Sequence, residues 1–248
     1  MPAKTRAALL CAAARRLRQE LAALSFAPPV ACVYDPLGYA RRPHEEYLRR
    51  YGDSARRVLF LGMNPGPFGM AQTGVPFGDV ACVRDWLGIT AKVERPAREH
   101  PKRPILGFDC PRREVSGTRL WGAIAARFGT PGRFFAHHFV ANYCPLAFVE
   151  ASGRNRTPDK LPAAERDPLF AACDRHLRRM VSLLTPEWVV GIGAFAEARA
   201  RAALGAEVRI ARVPHPSPAN PRASRDWGAI ADRALRAQGV CRARRRKR

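Results

Sequence analysis

The chain has 248 residues, and its 43 lysines and arginines against 21 acidic residues give a formal net charge of +22. This excess predicts a polyanionic partner, with nucleic acid as the default, although an Arg-rich proteome would produce the same bias. No run of about 18 apolar residues is present to span a membrane. The seven cysteines are scattered without a C-x-x-C pair, which argues against a disulfide framework or a zinc ribbon and favours the reduced thiols of a cytosolic enzyme.

Hydrophobic patterns and turn residues divide the chain into alternating helices and strands. We predict helices at residues 4–24, 45–51, 80–87, 117–128, 162–184, 194–204 and 226–238. We predict strands at residues 57–61, 135–140, 188–193 and 208–213, and a long polar connection at 90–116. The strands are apolar throughout, which is typical of a mostly parallel sheet covered on both faces. The fold class is therefore α/β, with one domain over residues 1–240 and a basic tail, expected to be disordered, at 241–248.

The loop after the first confident strand is the most informative stretch. Residues 62–69 contain three glycines and two prolines, so they cannot continue a strand, and each proline fixes its own φ. A rigid loop at the carboxyl end of a strand is where open α/β sheets bind ligands. Asn64 is the one polar side chain in this loop.

Two further polar residues, Asn142 and His215, also follow predicted strands. Because the carboxyl ends of parallel strands share one edge, we expect Asn64, Asn142 and His215 to meet in one crevice, with Phe77 as an aromatic wall. Taken singly, each is more often an ordinary turn, loop or core residue. The interpretation as one shared site depends on two features: each of the three polar residues follows a strand, and each is flanked by residues that stiffen its loop.

Two motifs carry a resemblance to a known family. Residues 62–78 (GMNPGPFGMAQTGVPFG) and 215–221 (HPSPANP) resemble the active-site motifs of the single-strand-selective monofunctional uracil-DNA glycosylases, within the uracil-DNA glycosylase superfamily. Further matching stretches bring the resemblance to roughly residues 25–240: 83–88 (VRDWLG), 99–104 (EHPKRP), 142–146 (NYCPL) and 152–155 (SGRN). The resemblance implies a three-layer α/β/α sandwich around a four-stranded, mostly parallel sheet.

The resemblance also implies a reaction, the hydrolysis of the N-glycosidic bond of uracil in DNA to leave an abasic site. His215 is expected to hydrogen-bond the leaving uracil, with a backbone N–H near Met63 as a second donor. Asn64 is expected to position the attacking water. Neither motif contains a lysine, so no Schiff-base lyase step is expected.

Recognition of the base is expected to depend on four residues. Asn142 is expected to read uracil, and Phe77 to stack on it. Gly66 and Met70 are expected to line the C5 side of the base and to admit 5-hydroxymethyluracil and related oxidised or deaminated bases. The target base must be extruded from a duplex or already be single-stranded.

Residues 217–225 match the wedge with which the family enters the duplex. The expected DNA contacts here are Ser217, Pro218, Ala219, Asn220, Pro221 and Arg222. The sequence departs from the vertebrate members, which have a longer basic side chain in place of Ala219 and an amide in place of Arg222. We therefore expect weaker wedging, or wedging that depends on Arg222.

The expected partner is uracil-containing DNA, single- or double-stranded, bound by a monomer without membrane attachment. No cofactor or metal is expected, because neither the His137-His138 pair nor the cysteine spacing forms a recognised metal or iron–sulfur pattern. The expected location is the bacterial cytoplasm with the nucleoid, or the nucleus of a eukaryote. The Ala/Arg bias is typical of a GC-rich bacterium.

Two alternatives belong to other functional classes. One is a catalytically silent DNA-binding protein on the same scaffold, which would have no need of Asn64 and His215. The other is a nucleotide hydrolase that uses the Gly-rich loop for phosphate. The absence of Lys-Ser/Thr after the glycines argues against the second alternative.

Overall fold

The computed structural model describes residues 5–218 and 226–241. In these ranges the strands are β1 (Val30–Tyr34), β2 (Val58–Gly62), β3 (His138–Asn142), β4 (Ala147–Glu150), β5 (Asn155–Arg156), β6 (Trp188–Ile192) and β7 (Arg209–Val213). The α-helices are α1 (Arg6–Leu21), α2 (Pro36–Tyr39), α3 (Arg41–Tyr51), α4 (Met70–Thr73), α5 (Val115–Phe128), α6 (Pro131–Phe135), α7 (Ala163–Leu184), α8 (Ala194–Leu204) and α9 (Trp227–Ala237). Shorter helical segments lie at Cys82–Trp86, Gly107–Asp109 and Pro158–Lys160.

Four parallel strands form the central sheet in the order β3-β2-β6-β7, which confirms the predicted α/β class. β2 is buried along its whole length between β3 and β6. Its apolar sequence suits a strand that is covered on both faces. Because the four strands run in one direction, the carboxyl ends of β2, β3 and β7 lie at the same edge of the sheet.

Helices flank this sheet, as predicted. Phe60 of β2 stacks with Phe134 and His138 at 6.3 and 6.0 Å between ring centroids. The same cavity that Phe60 lines is bordered by residues of α5 and α9. A second group of helices comprises α1, which packs against α3 and α7, and α8, which packs against α7 and β6.

Two predicted elements differ clearly at their N-terminal boundaries. The predicted strand at 135–140 is wrong in its first residues, because Phe135 ends α6 and β3 begins at His138. Thr130 caps α6 and Pro131 occupies its first turn, and both are helix-start signals. Helix α3 begins at Arg41, four residues before its predicted start at residue 45, since a proline in the first helical turn is tolerated.

The predicted helix at 80–87 is helical, but its central residues form a π-helix, Cys82–Trp86. The Leu87 N–H donates to the Cys82 carbonyl at 3.0 Å, five residues back. Insertions of this kind are common near functional sites.

A second sheet was not predicted from the sequence. It is antiparallel, has the order β1-β4-β5, and joins Val30–Tyr34 to Ala147–Glu150 and Asn155–Arg156. β4 and β5 have only four and two residues, too few to show a period, and without them β1 has no recognisable partner.

The long polar connection at 90–116 is structured. The Tyr34 hydroxyl donates to the Arg103 carbonyl at 2.6 Å and accepts from the His100 N–H at 2.8 Å. Residues Gly107–Asp109 form a 3₁₀-helix. These contacts fix the connection against β1 of the second sheet.

None of the helices in the described ranges is both long and apolar enough to cross a bilayer. Of the predicted basic tail, only Cys241 belongs to the described residues.

Candidate active site

The loop that follows β2 holds Asn64 in a defined orientation. The Asn64 Nδ2 group donates to the Leu146 carbonyl at 3.2 Å and approaches the Pro65 carbonyl at 3.4 Å. The preceding residue, Met63, accepts from the Cys144 N–H at 2.9 Å through its carbonyl. With Nδ2 engaged in this way, Oδ1 is the Asn64 atom that can accept a hydrogen bond from a water molecule.

Asn142 ends β3 and pairs directly with Gly62 at the end of β2. Its Nδ2 group donates to the Met70 sulfur at 3.3 Å. Its Oδ1 is buried and has no hydrogen-bond partner among the described residues. The contact with Met70 assigns the two ends of the amide: the nitrogen faces the thioether and the oxygen faces Gly62.

Phe77 and Asn142 meet above Gly62. A Cβ added at Gly62 would lie against Asn142 Oδ1 and 2.5 Å from the edge of the Phe77 ring. A glycine is therefore needed at this position, because any side chain would displace the amide, the ring or both. The Phe77 side chain is only 9% exposed.

The backbone of Phe77 is in the left-handed region, with φ at +54°. This conformation is strained for a phenylalanine and persists only where the surroundings enforce it. Gly117 of α5 lies directly against the Phe77 carbonyl, without space for a Cβ. The buried Asp79 carboxylate accepts from Arg113 Nε at 2.8 Å and from the Glu114 N–H at 3.0 Å.

Asp79 stays ionised in this position. Burial alone would raise the pKa of its carboxyl, but the Arg113 guanidinium and the backbone amides of Glu114 and Cys82 outweigh burial and lower the pKa. The charged carboxylate thus fixes residues 77–79 to the start of α5.

His215 follows β7 and lies beside Phe77, with 6.1 Å between the ring centroids and 41° between the planes. Its Nδ1 accepts from the Ser217 N–H at 3.1 Å. Burial lowers the pKa of the imidazole below its ordinary value. A neutral ring that accepts at Nδ1 carries its proton on Nε2, so Nε2–H is a hydrogen-bond donor.

Two long side chains hold the His215 loop from outside. Arg119 of α5 donates to the Pro216 carbonyl at 2.9 Å. Trp227 of α9 donates from Nε1 to the Pro214 carbonyl at 2.8 Å. The loop that carries the imidazole is therefore held by side chains of two helices.

The structure brings three of the central predicted residues together: Asn142 and Phe77 meet at Gly62, and Phe77 adjoins His215. The fourth, Asn64, is bonded to the Leu146 carbonyl in the segment between β3 and β4. Met70 is buried against Asn142. Ser217 and Pro218 follow His215 in the same loop. Four predicted DNA contacts lie outside the described residues: Ala219, Asn220, Pro221 and Arg222.

Sequence reasoning missed the carboxyl group of Glu114. It lies against Gly66 and Gly69, where it fills the space that their side chains would need. Burial raises the pKa of this carboxyl, although the backbone amides of Phe68 and Ser116 act in the opposite direction. A charged residue immediately before a helix is too common a feature to have signalled this contact.

Sequence reasoning also missed Gln72, whose side chain is 1% exposed. Its Nε2 donates to the carbonyls of Pro67 and Pro104, both at 3.0 Å. Its Oε1 accepts from the N–H groups of Leu106 and Gly107 at 2.8 and 3.1 Å. One buried amide thus joins the Asn64 loop to the 90–116 connection.

The family model of the uracil DNA glycosylase superfamily matches residues 49–236. The single-strand selective monofunctional uracil-DNA glycosylase of Rattus norvegicus is 52% identical over 228 residues, which cover 91% of this chain and 82% of the relative. The corresponding Bos taurus protein is 51% identical over 228 residues, or 91% of this chain and 84% of the relative.

The fold has a counterpart among solved structures. The crystal structure of wild-type SMUG2 from Pedobacter heparinus aligns with a TM-score of 0.63 over 92% of this chain and 97% of that chain. At 20% identity, this likeness concerns the fold alone. Taken with the superfamily match and the mammalian relatives, the observations show that the chain belongs to the single-strand-selective monofunctional uracil-DNA glycosylases of the uracil-DNA glycosylase superfamily.

Proposed function

We propose that this protein is a monofunctional uracil-DNA glycosylase, which hydrolyses the N-glycosidic bond of uracil in DNA and leaves an abasic site. One observation carries the proposal: Asn142 has a buried Oδ1 without a partner among the described residues. Such an unpaired acceptor costs about 1–3 kcal/mol, and the N3–H of uracil is a donor that satisfies it. Phe77 lies beside the same amide, where it can stack on the face of the base.

Base selection follows from the orientation of this amide. Asn142 accepts from N3–H through Oδ1 and donates to O4 through the second hydrogen of Nδ2, while Met70 receives the first. Cytosine presents an acceptor at N3 and a donor at N4, so both pairs would be mismatched. Two unmatched buried groups cost about 1–3 kcal/mol each.

Departure of uracil requires stabilisation of the negative charge that develops on the base, mainly at O2. The Nε2–H of a neutral His215 supplies one donor, as its Nδ1 is occupied by the Ser217 N–H. A backbone N–H near Met63 supplies the second. Donors that are fixed in place before the reaction stabilise developing charge without reorganisation.

The attacking water is positioned by Asn64. Its Nδ2 is bonded to the Leu146 carbonyl, so its Oδ1 accepts a hydrogen from the water and directs the oxygen at the C1′ carbon. The water oxygen forms a bond to C1′ while the glycosidic bond breaks and its electron pair leaves with uracil. The water then loses a proton to solvent, and the uracil anion takes one up. An oxocarbenium-like centre needs a well-placed water more than a strong base.

The C5 side of the base lies toward Gly66 and Met70 in this proposal. Thymine would bring a methyl group to this side, which displaces water without replacing its hydrogen bonds. A 5-hydroxymethyl group retains a hydroxyl that can replace them. We therefore include 5-hydroxymethyluracil and related oxidised or deaminated bases among the substrates.

Uracil-containing DNA is the partner, and the net charge of +22 suits it. We propose that the protein acts as a monomer on single-stranded and double-stranded DNA, where residues 217–222 enter the duplex beside the flipped nucleotide. It would act where the cell keeps its DNA, which is the bacterial cytoplasm or the eukaryotic nucleus.

The test is incubation with single-stranded and double-stranded oligonucleotides that contain one uracil, followed by alkaline strand cleavage. Cleavage at uracil that requires alkali supports the proposal, whereas cleavage without alkali would indicate a lyase step. Binding without abasic sites would favour the catalytically silent DNA-binding protein.

Asn142→Asp tests the reader role. A carboxylate cannot donate to O4 but can accept from the N4 amine of cytosine, so the preference for uracil over cytosine should fall by roughly 10–100-fold. The control is Asn155→Asp on β5, because Asn155 also has a buried Oδ1 without a partner among the described residues. Equal selectivity in the two variants would remove Asn142 from base reading.

A further inference from the structure

We propose that a surface beside the Asn64 loop binds the single-stranded nucleotides next to the target nucleotide. This surface, the Phe68 platform, consists of Phe68, Arg103, Leu106, Arg112 and Val115. The proposal rests on the proposed glycosylase function and names the part of the DNA that this surface contacts.

The first observation is a pair of guanidinium groups over one aromatic ring. The Cζ atom of Arg112 lies 4.1 Å from the centroid of the Phe68 ring, and that of Arg103 lies 5.4 Å from it. Neighbouring Arg113 pairs with Asp79. Among the described residues, by contrast, neither Arg103 nor Arg112 forms an ion pair. Arg112 is exposed, so its positive charge is available to phosphate groups. Arg103 is half-buried, with a buried Nε and with Nη1 donating to the Lys102 carbonyl at 3.1 Å, so it adds positive charge behind the ring.

The second observation is exposed apolar surface at the same place. Leu106 is 42% exposed and Val115 is 41% exposed, and they are the exposed large hydrophobic side chains of the described residues. Both belong to segments that are bonded to or packed against the loop of Phe68. The Leu106 N–H is bonded to Gln72, which is also bonded to the Pro67 carbonyl. Val115 follows Glu114, whose carboxyl lies against Gly66 and Gly69.

The platform also borders the candidate active site. Phe68 belongs to the rigid loop that carries Asn64, and Val115 begins α5, the helix whose Arg119 reaches the Pro216 carbonyl. A nucleotide whose base lies under Phe77 leaves its neighbours at the rim of the site. A strand that leads away from the site on this side would pass Phe68 and Arg112.

The chemistry of the platform favours unpaired bases. Stacking on aromatic and guanidinium groups accepts any base, because every base has a π-face. In a duplex these faces are covered by neighbouring base pairs, whereas a single strand exposes them. Cations beside an aromatic ring and exposed aliphatic groups form the combination that single-stranded nucleic acid binds, while a purely apolar protein partner would leave the cations unpaired.

The test compares the double variant Leu106→Ser/Arg112→Gln with Arg179→Gln. Arg179 lies on α7, is exposed, and likewise forms no ion pair within the described residues, so it controls for the lost charge. Each protein is assayed with one uracil-containing oligonucleotide, alone and annealed to its complement. Circular dichroism and thermal unfolding confirm that each variant is folded.

We expect the double variant to raise the DNA concentration for half-maximal cleavage of the single strand by about tenfold. For the duplex, the double variant should change the DNA concentration for half-maximal cleavage by about twofold or less. The control variant should change it by about twofold or less for both substrates. The slope of log K against log salt should fall by about 1 for the single strand. If the double variant and the control change both substrates equally, the platform is not a nucleotide site.

Failure of this proposal can be separated from failure of the proposed function. If wild-type protein leaves uracil intact, the proposed function fails. If wild-type protein cleaves uracil and the double variant shows no selective loss on the single strand, only the platform proposal fails. Anisotropy with a uracil-free single strand adds a readout that does not depend on cleavage. There too, the double variant should bind more weakly than the control.

Discussion

The two loops that form the candidate active site are held in different ways. The Asn64 loop is fixed largely from within and from the adjoining connection, since the Gln72 amide alone makes four hydrogen bonds. The Thr73 hydroxyl donates to the Gly78 carbonyl at 2.9 Å, with the Gly69 carbonyl at 3.3 Å as the alternative acceptor. The His215 loop depends on Arg119 and Trp227, which reach it from two separate helices.

This difference separates two parts of the proposed reaction. Water positioning and base reading belong to segments fixed by buried amides and sheet pairing. Stabilisation of the leaving group belongs to a loop whose position follows the packing of α5 and α9. Changes in helix packing should therefore alter the cleavage rate before they alter the choice of base.

The largest expected effect comes from His215→Ala. Removing the Nε2–H donor should lower the single-turnover rate by roughly 10²-fold or more, because the charge on departing uracil loses a fixed partner. The measurement is single-turnover cleavage of a uracil-containing oligonucleotide. The control is His137→Ala, because His137 is exposed and immediately precedes β3, at the end of that strand opposite Asn142. Cleavage at the rate of the control would exclude His215 from the reaction.

Gln72→Ala should affect stability most. It leaves two carbonyls and two N–H groups without their buried partner, so the free energy of unfolding should fall by at least about 1–3 kcal/mol. Chemical denaturation measures this loss. Gln238→Ala is a matched control, because Gln238 also bonds several backbone groups but is exposed. An equal loss in both variants would contradict the central role of Gln72.

Arg119→Ala should slow cleavage with little effect on stability, because the guanidinium holds the Pro216 carbonyl from a half-buried position. We expect a rate about 5–10-fold lower, with the preference for uracil over cytosine retained. Arg119→Lys should restore part of the rate. If Arg119→Ala lowered the preference for uracil over cytosine by the same factor as the rate, the Asn64 loop and the His215 loop would not be independent.

The smallest effect concerns pH. His215 has a lowered pKa because it is buried, so the unfolded chain takes up this proton at higher pH than the folded protein does. The contribution of the neutral His215 ring to the free energy of unfolding is therefore present above the ordinary pKa of about 6.5. It is lost as the pH falls through the lowered pKa of the folded protein. An NMR titration of His215 should give a midpoint below 6.5. A midpoint at or above that value would contradict burial of the neutral ring.

Much of the fold could be predicted because its strands are short apolar runs bounded by Gly and Pro. The helices with clear ends were predicted well, for example α8, which ends at Gly205. The boundary of β3 was wrong because Phe134 and Phe135 look like strand residues but follow a capped turn. The second sheet was missed because β4 and β5 are too short to show a period and leave β1 without a recognisable partner.

The candidate site was partly predictable for a physical reason. Asn64, Asn142 and His215 follow strands of a parallel sheet, and topology alone brings such ends together. The residues that orient them come from distant segments: Gln72, Glu114 and Arg119 act through tertiary contacts that no local pattern encodes. The left-handed backbone of Phe77 was likewise invisible, since it is imposed by Gly117 and Asp79.

The pairing of Gly62 with Asn142 places the proposed base reader within the hydrogen-bonded strands of the central sheet. Such strands are among the last parts of a protein to open under mild denaturing conditions, whereas loops held by a few side chains open early. On gradual warming, the molecule should therefore lose turnover first. It should still tell uracil from cytosine in binding until it unfolds as a whole.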